Sequence, residues 1–190
     1  EREEKIKELD KAIFEKERKL RLDKISILEH LEAEDHPVFL MEDLTEKEIK
    51  VLQENGYKKV NEYDPLLQEN ANFLVKQVLN HSPTHTILVE RVKEMLLQYL
   101  EQNEVRVHDT KEADITFKVD GKKYAFEVET GNLLSKKVQL REKIEYLNQR
   151  YKKRWYFIVS NKHLLAKYRK YGKSTPRSGV KRIIEKLMDF

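Results

Sequence analysis

Cysteine is absent from the 190 residues, so disulfides and thiolate metal sites are excluded. That absence fits a reducing compartment, and a cytoplasmic location is the expectation. Glycine and proline are scarce, at five and four residues, which leaves few places where helices must break. No run approaches the ~18 consecutive apolar residues of a membrane span, so no membrane partner is expected. No signal or transit peptide is visible. No Walker-type phosphate loop occurs, so the chain carries no ATPase motor of that kind. The chain opens Glu-Arg-Glu-Glu-Lys rather than on methionine, as a piece of a longer protein or complex would.

What is present is charge. Asp, Glu, Lys and Arg make up 38% of the chain, with a net charge of +4. The balance is uneven. Residues 131–190 hold 17 Lys/Arg against 4 Asp/Glu, which leaves residues 1–130 acidic. A basic third on an acidic remainder points to a polyanion partner.

Residues 1–35 read as one long helix, rich in Glu, Lys, Arg and Leu and free of Gly and Pro. Ile6, Ile13, Leu20 and Ile27 recur every seven residues. The second seam of that heptad fails at Lys16, Asp23 and His30. The arm therefore suits either a homodimer contact or packing on its own domain. Pro37–Met41 is a short strand or connector. Thr45 with Glu48 forms a capping box for a helix that Gly56 ends. A further helix is expected from about Leu66 to Leu79. The stretch 80–85, "NHSPTH", is a break with Ser82 and Thr84 as possible caps, and it divides a helical region (1–80) from a second domain (81–190).

Beyond the break, Thr86–Gln102 is amphipathic with helical spacing, and Glu104–His108 alternates like a strand. "ADITFKVDGKKYAFEVETG" (113–131) contains Asp120-Gly121, a two-residue hairpin signal. With the turn there, Ile115 faces Phe126 and Phe117 faces Tyr124. Ile115, Phe117, Val119, Tyr124, Phe126 and Val128 then share one apolar face. Asp114, Thr116, Lys118, Lys123, Ala125, Glu127 and Glu129 share the other. Asp114 lies opposite Glu127, and like charges placed directly opposite are destabilising. Either water or a divalent cation can offset that cost. Residues 133–154 form a long basic helix, Trp155–Ser160 an apolar strand buried on both faces, and two helices follow.

The α-β-β-β-α-β order resembles the restriction-endonuclease-like, or PD-(D/E)XK, superfamily. The resemblance rests on an acid opening the second strand and an acid-x-lysine motif on the third, present here as the variant Glu127-Val128-Glu129. It covers about residues 84–160 and is similar to archaeal Holliday junction resolvases. "FEVETG" also resembles domains attached to DNA-translocating or conjugation-type ATPases of archaea and mobile elements. The resemblance implies an α/β (α+β) fold whose central mixed sheet is flanked by helices. It also implies a Mg²⁺- or Mn²⁺-dependent endonuclease acting on DNA, branched or single-stranded. Glu90, Asp114 and Glu127 match the metal positions. Glu129 stands where the superfamily carries lysine, and would be a further ligand or a base. Lys136 or Lys137 would supply the missing cation, with Gln139 and Lys143 behind them.

The basic third fits the same expectation. Arg141, Lys152, Lys153 and Arg154, then Lys167, Tyr168, Arg169, Lys170, Tyr171 and Lys173, interleave cations with aromatic rings, as nucleic-acid binding favours. His81, His85 and His108 match no zinc spacing and read as loop or cap residues. Two further readings stay open. One is a nuclease fold that binds DNA without cutting it, within a larger translocation, conjugation or mobile-element protein. The other is a helical interaction protein.

Overall fold

A computed structural model describes residues 2–77, 81–109 and 112–188. The expected break at Asn80, and the ends of the helices expected to reach Leu79 and Phe190, lie outside these. The protein is α/β: an N-terminal helix and small sheet, then a mixed five-stranded sheet between two helical layers. Among the described residues no helix is long and apolar enough to cross a membrane.

Helix α1 runs Arg2–His30. Only its C-terminal end packs on the body, through Leu28 and Leu31. Ile6, Leu9, Ile13, Phe14, Leu20 and Leu22 are exposed. Strand β1 (Val38–Leu40) follows, then α2 (Glu46–Glu54). The Thr45 hydroxyl accepts from the Glu48 N–H, and the Glu48 carboxylate accepts from the Thr45 N–H, so the capping box is present. Gly56 ends the helix with φ +88°, a left-handed conformation that favours glycine.

The helix expected over 66–79 is instead a hairpin. Strand β2 (Tyr57–Asp64) pairs antiparallel with β3 (Glu69–Lys76), and β1 adds to the far side of β3. The Asp64-Pro65 step makes the turn. The Asp64 carboxylate accepts from the N–H groups of Leu66 (2.8 Å) and Leu67 (3.3 Å). That is the local turn bonding by which Asp competes with helix. The apolar spacing that imitates a helix is Phe73-Leu74-Val75, a run buried on both faces.

Helix α3 (Pro83–Leu97) is capped by Ser82, whose hydroxyl accepts from the His85 N–H. It is at least half-buried nearly all round because it is a shared wall. Ile87 packs on the small sheet, while Leu88, Val92, Met95 and Leu96 pack on the large one. The large sheet has the order β4 (Val105–Val107), β5 (Ile115–Val119), β6 (Lys122–Glu129), β7 (Trp155–Val159), β8 (Ser174–Pro176). The β4–β5–β6 pairs are antiparallel, and β6–β7 and β7–β8 are parallel.

The Asp120-Gly121 turn holds. Both residues have positive φ, and Ile115 pairs with Phe126 and Phe117 with Tyr124. Ile115, Phe117, Val119, Phe126, Val128 and Ile158 form one core with α3 and α6 (Val180–Met188). Ala125, Trp155, Phe157 and Val159 form a second core with α4 (Lys137–Tyr151) and α5 (Lys162–Tyr168). Each large side chain fully buried there stabilises by about 1.5–3 kcal/mol. Strand β7 thus contributes to both cores, as a strand buried on both faces should.

Candidate functional site

The acids converge where β6 ends. Asp114 immediately precedes β5, and Glu127 and Glu129 close β6. All three are buried, at 8%, 5% and 6% exposure. Each of Asp114 and Glu127 binds the other strand's backbone. The Val128 N–H donates to Asp114 Oδ2 at 2.7 Å, and the Asp114 N–H donates to Glu127 Oε2 at 3.3 Å. The hairpin register therefore extends one pair past the ladder and places the two carboxylates side by side.

One lysine faces them. Lys143 Nζ stands 2.8 Å from Glu127 Oε1 and also donates to the Glu112 carbonyl at 2.8 Å. It belongs to the inward stripe of α4, between the buried Leu140 and Leu147. Lys136 and Lys137, expected to fill this role, are exposed. Lys136 lies four residues before Leu140, but its backbone (φ −104°, ψ 67°) is not helical, so it falls off the stripe.

Glu129 is held separately. The Tyr168 hydroxyl donates to Glu129 Oε2 at 2.6 Å. Tyr168 is fully buried and packs on Phe157, so it is not a stacking surface for bases as its sequence setting implied. From the other side His85 reaches over from the first turn of α3, with Nε2 3.4 Å from Asp114 Oδ1. His81 stacks on His85 at 4.4 Å. These histidines, Asp114 and Glu90 line one cavity of about 430 Å³. Glu90 pairs with Lys93 at 3.2 Å.

Burial disfavours the charged forms. Glu127 is pushed well above the ordinary carboxylate range, by burial first and then by the Asp114 carboxylate, with Lys143 opposing. Burial raises Glu129 to about 7, although the Tyr168 hydrogen bond works against it. Burial and the Glu129 carboxylate push the Tyr168 phenol upward.

Among the described residues, no three His, Asp or Glu side chains stand close enough to form a ready-made metal cage. The donor set still suits a hard cation, because its atoms are carboxylate oxygens on rigid strands. Mg²⁺ usually keeps several waters and takes only one or two carboxylates. Asp114 and Glu127 can supply those.

The expected nucleic-acid residues divide. Lys152, Lys153, Tyr171 and Lys173 gather with Trp155 around a small cavity of about 170 Å³. Lys173 donates to the Lys153 carbonyl and lies 4.9 Å over the Tyr156 ring. Arg154 donates to the Lys123 carbonyl. This cluster lies where β6 and β7 begin, at the opposite pole of the sheet from the acids. Lys167, Arg169 and Lys170 are exposed at the end of α5, and Arg141 is exposed on α4 beside Glu145.

Sequence reasoning missed His85, and it ranked Lys143 behind Lys136 and Lys137. A lysine on an apolar helical stripe was a legible signal for Lys143; nothing local marked His85. Compared with protein-family models, with curated proteins and with solved structures, the chain matches none.

Proposed function

We propose that the chain is a divalent-cation-dependent nuclease domain that hydrolyses phosphodiester bonds in DNA. One observation carries this reading: three carboxylates are buried together where β6 ends, and the lysine beside them, Lys143, pairs with Glu127. Their hydrogen bonds satisfy the oxygens without supplying a matching charge for each, and a buried carboxylate short of countercharge costs several kcal/mol of desolvation. A cation removes that cost. The αβββαβ order around the site supports the same reading through the PD-(D/E)XK resemblance.

The roles follow from position. Asp114 and Glu127 would hold Mg²⁺ or Mn²⁺, with Glu90 contributing from across the cavity. When bound, the cation supplies an activated water and charge stabilisation on the phosphate. Lys143 takes the place of the lysine that the resemblance puts at Glu129, and offsets charge at the phosphate. Glu129, held by Tyr168 and poised at about 7, suits a group that accepts a proton near neutral pH.

The test is incubation with labelled single-stranded, duplex and branched DNA, with and without Mg²⁺ or Mn²⁺. Cleavage should need the cation and disappear in Asp114→Asn. Cleavage that survives Asp114→Ala combined with Glu127→Ala would remove this site from the reaction.

A second reading has its own support. Lys143 and the Asp114 N–H already engage both oxygens of Glu127, and residue 129 is not lysine. A DNA-binding module of a larger translocation, conjugation or mobile-element protein would tolerate that closure. DNA binding without cleavage in any cation would select it. Self-association is assigned to α1, whose apolar stripe Ile6, Leu9, Ile13 and Leu20 is bare. Sedimentation of the full chain against one lacking residues 2–22 checks this. A dimer that persists after truncation would refute it.

A further inference from the structure

We infer that a cationic groove on the β4–β5–β6 face binds the phosphates of a DNA strand and leads that strand to the carboxylates. The inference rests on reading Asp114 and Glu127 as a site that acts on phosphodiesters. Three of the groove's four cations, Arg106, Lys118 and Lys123, lie outside the basic C-terminal third.

Arg106 on β4, Lys118 on β5, Lys123 on β6 and Arg150 in the last turn of α4 line one cavity of about 330 Å³. Lys118 is the direct cross-strand partner of Lys123. Like charges in that relation are destabilising, and Arg106 and Arg150 add two more of the same sign. None of the four is within ion-pair distance of a carboxylate among the described residues. The two acids on the cavity wall are engaged elsewhere: Glu104 accepts from the Glu101 N–H, and Glu112 pairs with His108. Four cations outnumber two acids on this wall, and a cleft with an excess of one sign of charge focuses the field and concentrates counter-ions. The ligand that fits is a chain of phosphates.

The groove also leads to the right place. Lys118 and Lys123 lie four residues along each strand from Asp114 and Glu127, or about 13 Å at the usual strand rise; Ala125 between them is buried under α4, so the open route is along the β4 edge. At 3.4 Å of rise per nucleotide along one strand, that distance spans roughly four nucleotides. His108 lines this cavity and also the one that holds Asp114 and His85, so the two meet at the β4 edge. A strand lying in the groove would pass His108 and arrive at the carboxylates.

The experiment uses a fluorescein-labelled single-stranded DNA and the full chain, with binding read by anisotropy across a salt series and cleavage read on the same DNA with Mg²⁺. Lys118→Gln combined with Lys123→Gln keeps the hairpin polar and removes two charges. Lys50→Gln combined with Lys58→Gln, two exposed lysines on the small-sheet side, is the matched surface control, and Asp114→Asn tests the cleavage site. The double variant should bind about tenfold more weakly, and its salt slope should fall by about 1.4, two contacts at about 0.7 each. The control should bind like the unchanged protein. Equal affinity and slope in the double variant would overturn the groove, and so would failure of the unchanged protein to bind DNA. Cleavage that persists in Asp114→Asn, alongside weakened binding in the double variant, would remove the site reading while leaving the groove in place.

Discussion

The β2–β3 and β5–β6 hairpins both bury acids, and they differ in what answers those acids. In the first, each acid has an arginine. Asp64 is fully buried and pairs with Arg91 at 2.7 Å, while Glu62 pairs with Arg177 and accepts from the Thr84 hydroxyl at 2.7 Å. Burial pushes Glu62 upward. The bonds from Thr84, the Tyr63 N–H and Arg177 outweigh it and hold Glu62 below the ordinary range. In the second, Lys143 pairs with Glu127 beside Asp114 and Glu129, and burial leaves Glu127 and Glu129 raised. The first arrangement is a clamp: it fastens the small sheet to α3 and to the segment before α6. The second leaves Glu127 and Glu129 without matching countercharge, and that is the opening the proposed cation would fill. Burial alone therefore does not distinguish the two hairpins; the countercharge does.

The sharpest way to break this comparison is to cut the clamp. Arg91→Leu leaves Asp64 buried without a cation and should cost about 3–5 kcal/mol in urea unfolding. Arg91 Nε has no hydrogen-bond partner, so one guanidinium nitrogen carries the pair rather than a fork. A loss below 1 kcal/mol would show that the clamp holds nothing.

The next largest effect is a pH dependence of the cation-free protein. Glu129 has a folded value of about 7 against an ordinary 4.5, so the folded state holds the proton more tightly. The stability from that proton is fully present below about 4.5 and is lost as pH rises through about 7. The full difference is about 3 kcal/mol, and Glu127 acts in the same direction. Unfolding free energies in chelator should fall over that interval, and Glu129→Gln should flatten the fall. A stability that rises with pH there would contradict the assignment.

Smaller effects sharpen the contrast. Asp114→Asn keeps an acceptor for the Val128 N–H and removes a carboxylate from beside Glu127. It should stabilise the cation-free protein by up to about 1 kcal/mol, where the Arg91 variant destabilises it. Tyr168→Phe removes a hydrogen bond worth about 1 kcal/mol. Because that bond lowers Glu129, its loss should move the pH transition upward. A transition unmoved by Tyr168→Phe would show that the hydroxyl does not act on Glu129.

The two hairpins also differed in legibility. Asp-Gly is an unambiguous turn, and alternation on both sides set the β5–β6 register, including Asp114 opposite Glu127. The β2–β3 turn is Asp64-Pro65 with a longer loop. Its strand interior is the continuous run Phe73-Leu74-Val75, which carries no period-2 signal because both faces are covered. Strand β8 is three residues long, ends in proline and forms a parallel edge, so its local pattern showed nothing. Within the site, the strand acids were legible because strand geometry alone aligns them. His85 and Tyr168 reach the acids from α3 and α5, and their places depend on how those helices pack.

Calorimetric titration of Mn²⁺ into the cation-free protein tests whether the buried acids hold a cation. One saturable binding event is expected, lost in Asp114→Asn and in Glu127→Gln and retained in Glu62→Gln, which alters the paired hairpin. Absence of binding, or binding unchanged in both site variants, would contradict it.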